Sequence, residues 1–152
     1  LALTLEWEPI QNLKDDGAED LLFQHWRETE SDLDRVPLSV DWEWMKALEA
    51  QKMFHCAALR RNGRLIGYNA FQTYRHIHFR HTLHAINDGV FIEPSERGMA
   101  GVRIIRGVEP MLKSLGVARI MYGAKLRART AGDLLARLGY SHTENIYCKL
   151  IG

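Results

Sequence analysis

Asp88-Gly89-Val90-Phe91-Ile92-Glu93-Pro94-Ser95-Glu96-Arg97-Gly98-Met99-Ala100-Gly101-Val102 decides how the rest of this 152-residue chain is read. Val90 and Ile92 are β-branched, so the stretch opens as a strand, which Pro94 and Ser95 end. Two glycines three residues apart follow, and an amphipathic helix is expected from Gly101. A strand, a short glycine-bearing turn and a helix N-terminus together make an anion site. The N–H groups of a first helical turn have no partner inside the helix, and the helix dipole favours negative charge there. Gly98 and Gly101 let that backbone approach a phosphate with no Cβ in the way. The spacing is neither G-x-x-x-x-G-K-[ST] nor G-x-G-x-x-G, which sets aside the P-loop and dinucleotide-binding readings.

Outward from this stretch, length and composition bound the answer. A chain of 152 residues fits one domain, and 46% apolar with 26% charged residues is enough to fill a core. No apolar run reaches membrane-spanning length and no secretory-leader pattern opens the chain, so a cytoplasmic location without membrane partners is expected. Cys56 and Cys148 lie in strand-like contexts and read as buried free thiols, which suits a reducing compartment. The near-neutral net charge of +1 hides an asymmetry. Residues 1–53 carry 13 acidic and 5 basic side chains, net −8, whereas residues 54–152 carry 6 and 15, net +9. The basic part holds the phosphate loop and suits a polyanion; the acidic part suits a cationic acceptor, unless both faces are simply solvated.

In chain order, Thr4 to Glu8 alternates as a short strand. Asp15 to Glu30 reads as a helix and Thr29 to Pro37 as a polar loop. Ser39 can cap a second helix running to about Ala50. All four tryptophans (Trp7, Trp26, Trp42 and Trp44) fall in this first third, as core residues or as the wall of an amine pocket. Phe54 to Arg60 is a strand, Asn62-Gly63 a two-residue hairpin turn, and Leu65 to about Tyr74 the return strand. A basic stretch with His76, His78, His81 and His84 follows. His76 and His78 share a strand face, but no Cys or carboxylate joins them at ligand spacing, and no metal is expected. Leu83 to Ile92 feeds the loop. The next helix carries Ile105, Val108, Leu112 and Leu115, with Pro110 expected to kink it near Arg106. Ala118 to Lys125 is a strand, Thr130 caps a helix through Leu138, and Tyr140 to Leu150 closes as a strand. The order β-α-α-β-β-β-α-β-α-β implies an α/β fold: a single domain over residues 1–152, with a mixed, partly antiparallel sheet flanked by helices and one parallel crossover. Residues 1–53 form its acceptor side and residues 54–152 its sheet and phosphate-binding core.

The stretch Ile92 to Val102 resembles the acyl-CoA-binding motif of the GNAT superfamily of N-acyltransferases, strand–x-P-x-x-R-G-x-G-x-G/A–helix. Ala100 stands where that family usually has Gly, and Val102 where it has Gly or Ala. Leu134-Leu135-Ala136-Arg137-Leu138-Gly139-Tyr140 resembles the family's late helix ending in L-G-[FY], and the element order is also similar. Tyr74 to Ile92 and the short C-terminus resemble small phage-encoded members, some of which act in modification of phage DNA bases. The resemblance implies a GNAT-like fold, acetyl-CoA as cosubstrate and an amine acceptor. It assigns Val90, Phe91 and Ile92 as backbone contacts to the pantetheine arm, in a gap where their strand splays from the next. Arg97, Gly98, Met99, Ala100, Gly101 and Val102 become the pyrophosphate cradle. Gly89 is well placed for a bulge that opens such a gap.

An amine must lose a proton to attack a thioester, so a general base is needed. Residues 84, 86, 88, 90 and 92 share one strand face if no bulge intervenes. His84 and Asp88 are its titratable members, and the family often carries an acid or histidine about four residues before the position of Ile92. That position is Asp88, which could otherwise only cap its own turn. The tyrosine that commonly protonates the family's leaving thiolate falls at Leu135, and Tyr147, Tyr140 or water are the substitutes. Three functions are therefore carried forward. The first is an acetyl-CoA-dependent N-acetyltransferase acting on a small amine. The second is a transferase acting on a macromolecule, a protein amine or a DNA base, with nucleic acid as partner in the latter case. The third is a non-catalytic acyl-CoA-binding protein. Oligomeric state is open, a dimer included.

Overall fold

The turn at Asn62 and Gly63 has left-handed φ values of 51° and 84°, the pair of angles that a two-residue hairpin needs and that Asn-Gly supplies at least cost. In the computed structural model, which describes residues 2–152, it joins β2 (Phe54–Arg61) to β3 (Arg64–Arg75). With β1 (Leu3–Glu8), β4 (Leu83–Ile92) and β5 (Val117–Met121) they form one sheet in the order β1-β2-β3-β4-β5. The first four strands are antiparallel to their neighbours and β5 is parallel to β4. The parallel pair requires a crossover, made by α4 (Met99–Ser114). The remaining helices are α1 (Ile10–Asp15), α2 (Ala18–Thr29), α3 (Trp42–Ala50) and α5 (Arg129–Arg137).

Alternation along the strands builds a core on each face. Phe54, Cys56, Ala58, Tyr68, Ala70 and Phe91 meet α1, α2 and α3. On the other face, Ala57, Phe71 and Ala85 meet Val108 and Leu112 of α4. Leu59, Ile66 and Ile92 meet Ile104 and Ile105 there, and Leu134 and Leu135 of α5 close over them. None of the helices is long and apolar enough to cross a membrane, among the described residues.

The mixed α/β plan holds, and several local expectations need correction. The first helix is two, because Gly17 sits at a left-handed φ of 87° and turns the chain between α1 and α2. Asp41, rather than Ser39, caps α3, its carboxylate accepting from Trp44 N–H at 2.9 Å. The crossover helix begins at Met99, two residues early, with Gly98 as its N-cap, and it runs on through Pro110. No side chain caps α5, since Ala128 holds its N-cap position in place of Thr130. Residues 140–152 form no strand. Ile146 and Tyr147 are exposed there, and so is Cys148, against the buried thiol that was expected. Alternation alone gave that segment a strand pattern, whereas a strand exists only where a neighbour takes up its backbone groups.

Candidate active site

Past residue pair Ile86 and Met121 the parallel ladder stops: β5 ends, while β4 continues to Ile92. A wedge therefore opens between them, and from Asn87 to Ile92 the β4 edge that faces it pairs with no strand. The other edge is held by β3, with Tyr68 opposite Phe91 and Asn69 opposite Val90. That contact is tight. A Cβ at Gly67 would lie 2.6 Å from the Phe91 carbonyl oxygen, so glycine lets the two strands close.

Asp88 is the extra residue of a β-bulge. Ala70 pairs with Gly89 and Phe71 with Asn87, which leaves Asp88 without an opposite number. The simple parity of residues 84 to 92 is broken there. His84 lies opposite Tyr74 and Ile86 opposite Gln72, on the α1–α3 face, and Asp88 joins them by accepting from the Gln72 amide at 3.4 Å. Val90 and Ile92 turn to the other face and pack toward α4. Asp88 is exposed, yet neighbouring groups shield enough of it to raise its carboxyl above the ordinary aspartate range, with the Gln72 amide opposing the shift. His84 is buried beneath Tyr74, Phe79 and His76, and its Nδ1 has no hydrogen-bond partner.

The loop after β4 follows as a single turn of 3-10 helix, Pro94–Glu96, and then Gly98. Gly98 takes φ 106° and ψ −124°, a conformation that is essentially glycine's alone. Gly101 does not have a left-handed φ, and a Cβ there would make only an ordinary 3.5 Å contact with Leu134. Met99 is exposed and the Ala100 side chain is buried, so this turn presents backbone rather than side-chain polar groups. The Arg97 side chain is engaged inside the protein. It donates to the Ile92 carbonyl at 2.9 Å, pairs with Glu28 at 2.8 Å and lies over the Phe91 ring. Across the wedge, Lys125 pairs with Glu30 at 2.7 Å and Arg127 donates to the Glu30 carbonyl. The end of α2 thus ties together the two loops that flank the opening.

Sequence reading missed two groups in this region. His25 of α2 stacks on Phe91 with centroids 5.2 Å apart and shares a 2.6 Å hydrogen bond with the Tyr68 hydroxyl. A Cβ at Gly89 would come within 3.2 Å of its ring. Burial lowers the His25 pKa to about 4, against the pull of Glu28 and Glu30. The folded protein therefore holds it neutral where the unfolded chain protonates near 6.5. Stability is full above pH 6.5 and falls as pH drops toward 4, by roughly 3 kcal/mol from this group at ~1.36 kcal/mol per unit. We expect His25→Gln to flatten the dependence of melting temperature on pH between 6.5 and 4; an unchanged slope would refute the assignment. The second missed group is Tyr122, one residue past β5, at the vertex of the wedge. Its place there becomes visible only once β4 and β5 are paired.

No family model matches the sequence, and no curated protein matches it either. Solved structures do. A GCN5-related N-acetyltransferase from Ralstonia eutropha JMP134 is 16% identical with a TM-score of 0.77, over 99% of this chain and 100% of that one. A ribosomal-protein-alanine N-acetyltransferase from Brucella melitensis is 13% identical with a TM-score of 0.73, over 99% and 100%. AAC(6')-Iy in complex with a bisubstrate analog, CoA-S-monomethyl-acetylneamine, is 15% identical with a TM-score of 0.71, over 100% and 99%. The chain has the fold of the GCN5-related N-acetyltransferases.

Proposed function

We propose that the protein transfers an acyl group, acetyl in the first instance, from coenzyme A to a primary amine. One observation carries this reading: the free edge of β4 in the wedge runs directly into the Gly98 turn and the N-terminus of α4. An extended amide-bearing arm fits the first, and a diphosphate fits the second. Backbone groups of Val90, Phe91 and Ile92 would bind the arm. The turn from Arg97 through Gly98, Met99, Ala100, Gly101 and Val102 would hold the diphosphate through N–H groups, with the Arg97 side chain bracing the turn from behind. No cluster of three or more His, Cys, Asp or Glu able to hold a metal occurs among the described residues, and the reaction needs none.

The acceptor would approach from the α1–α3 face, where Asp88 is open and the acidic residues of α2 give a cationic amine a favourable field. Asp88 is the favoured base, because its raised carboxyl pKa brings it nearer to that of the amine it must deprotonate. His84 is the weaker candidate, since it is buried. A small amine is the favoured acceptor. The CoA-S-monomethyl-acetylneamine analog bound by AAC(6')-Iy supports that choice, while the Brucella enzyme's ribosomal-protein acceptor keeps a macromolecule as the second reading. Incubation of the protein with acetyl-CoA and a panel of polyamines, aminoglycosides and peptides, with thiol release as readout, tests the reading. Release that depends on both substrates is expected. Binding of acetyl-CoA without transfer to any amine would leave a non-catalytic binding protein instead.

A further inference from the structure

The Tyr122 hydroxyl is held by a chain of two amides, a buried Asn69 and a half-buried Asn87, whose orientation is unambiguous. Asn69, fully buried, lies 3.0 Å from the Ile104 carbonyl through its side-chain nitrogen. A carbonyl can only accept, so that atom must be the NH2 group. The same nitrogen lies 2.9 Å from the Tyr122 oxygen, and the Asn69 oxygen accepts from the Asn87 amide at 2.8 Å. Asn87 is fixed in turn by donating to the Ala70 carbonyl at 2.9 Å. Tyr122 therefore accepts from Asn69, and no group among the described residues takes its own proton.

The other tyrosines are placed differently. Tyr68 shares its hydroxyl with His25, Tyr140 faces Glu109 at 3.4 Å, Tyr147 is exposed in the C-terminal segment, and Tyr74 packs on His84 at the far end of β4. Tyr122 alone stands at the wedge vertex, clamped edge-on between Phe71 and Tyr140 at 5.6 and 5.3 Å. Its phenol is raised above its ordinary value of 10, chiefly by burial, and so stays protonated at neutral pH.

We propose that Tyr122 donates the proton that the departing sulfur receives, and that Asn69 and Asn87 are the positioning residues that aim it. The assignment rests on the acyltransferase reading. As the carbon–sulfur bond of the tetrahedral adduct breaks, its electron pair goes to sulfur and the Tyr122 proton follows, giving free thiol and amide. The phenolate is reprotonated by the proton that the amine nitrogen gives up, relayed through solvent. A thiolate departs tolerably unaided, so the gain lies near the lower end of the general-acid range, about 10²-fold.

Tyr122→Phe removes one oxygen and keeps both ring contacts. The test measures acetyl-CoA affinity by calorimetry, steady-state transfer and melting temperature for this variant and the parent. A kcat about 10²-fold lower per folded molecule is expected, with affinity near the parent's and a melting temperature lowered by several degrees because the buried Asn69 amide loses one acceptor. Asn69→Ser leaves the hydroxyl in place but unaimed, and should lower kcat by less with KM unchanged. A Phe variant that binds acetyl-CoA and turns over like the parent overturns this assignment alone. A parent protein that binds no acetyl-CoA overturns the acyltransferase reading and this assignment together.

Discussion

Asp88→Asn is expected to lower acyl transfer about 10²–10⁴-fold while acetyl-CoA affinity stays near the parent value. Asn matches the size of Asp and still accepts from Gln72, but it cannot take a proton at neutral pH. The stability consequence has a definite sign. Shielding from water raises the Asp88 carboxyl above its ordinary 3.8, so its contribution to stability is largest in acid and is lost as pH rises through the folded value. At neutral pH the ionised carboxylate costs the fold, and its replacement by a neutral amide should hold the melting temperature or raise it. A residue that merely caps its own turn predicts the reverse, a lower melting temperature with normal turnover. The rate deficit should also shrink at high pH, where more of the acceptor is deprotonated in solution. Melting curves and a pH–rate profile of this one variant decide between the two roles.

Gly98→Val is expected to lose on both counts, affinity and stability. At φ 106° a β-branched residue is strained by about 1–3 kcal/mol, and its side chain holds a diphosphate off the backbone donors. Loss of one charge-assisted hydrogen bond, about 1.5–3 kcal/mol, weakens binding by roughly 10–100-fold. Gly101→Val separates the two effects. Its backbone is not left-handed and its surroundings are open apart from Leu134, so the fold should hold while affinity falls. Equal affinity in both variants would place the cradle elsewhere.

What was legible in the sequence was local. Asn62-Gly63 states its own turn, and the run from Val90 to Gly101 states strand, turn and helix N-terminus, because φ preference and β-branching act within a few residues. The bulge was legible only in part. Gly89 marks the place, but the residue displaced is Asp88, and that depends on the register with β3. The boundary at Gly17 was hidden because the acidic, apolar pattern continues on both sides of it. Tyr122, Asn69 and Asn87 come from three different strands or strand ends, so no spacing joins them. Residues 140–150 show the opposite failure, a strand pattern with no neighbour to pair with.

Thermal unfolding with and without acetyl-CoA tests the central claim, that the wedge and the Gly98 turn bind an acyl-CoA. A ligand at 100 times its dissociation constant stabilises the native state by about 2.7 kcal/mol. For a domain of this size that corresponds to a rise in melting temperature of roughly 5–10 °C. The account predicts such a rise at millimolar acetyl-CoA, cut to about half or less in Gly98→Val. An unchanged melting temperature in the parent protein would contradict it.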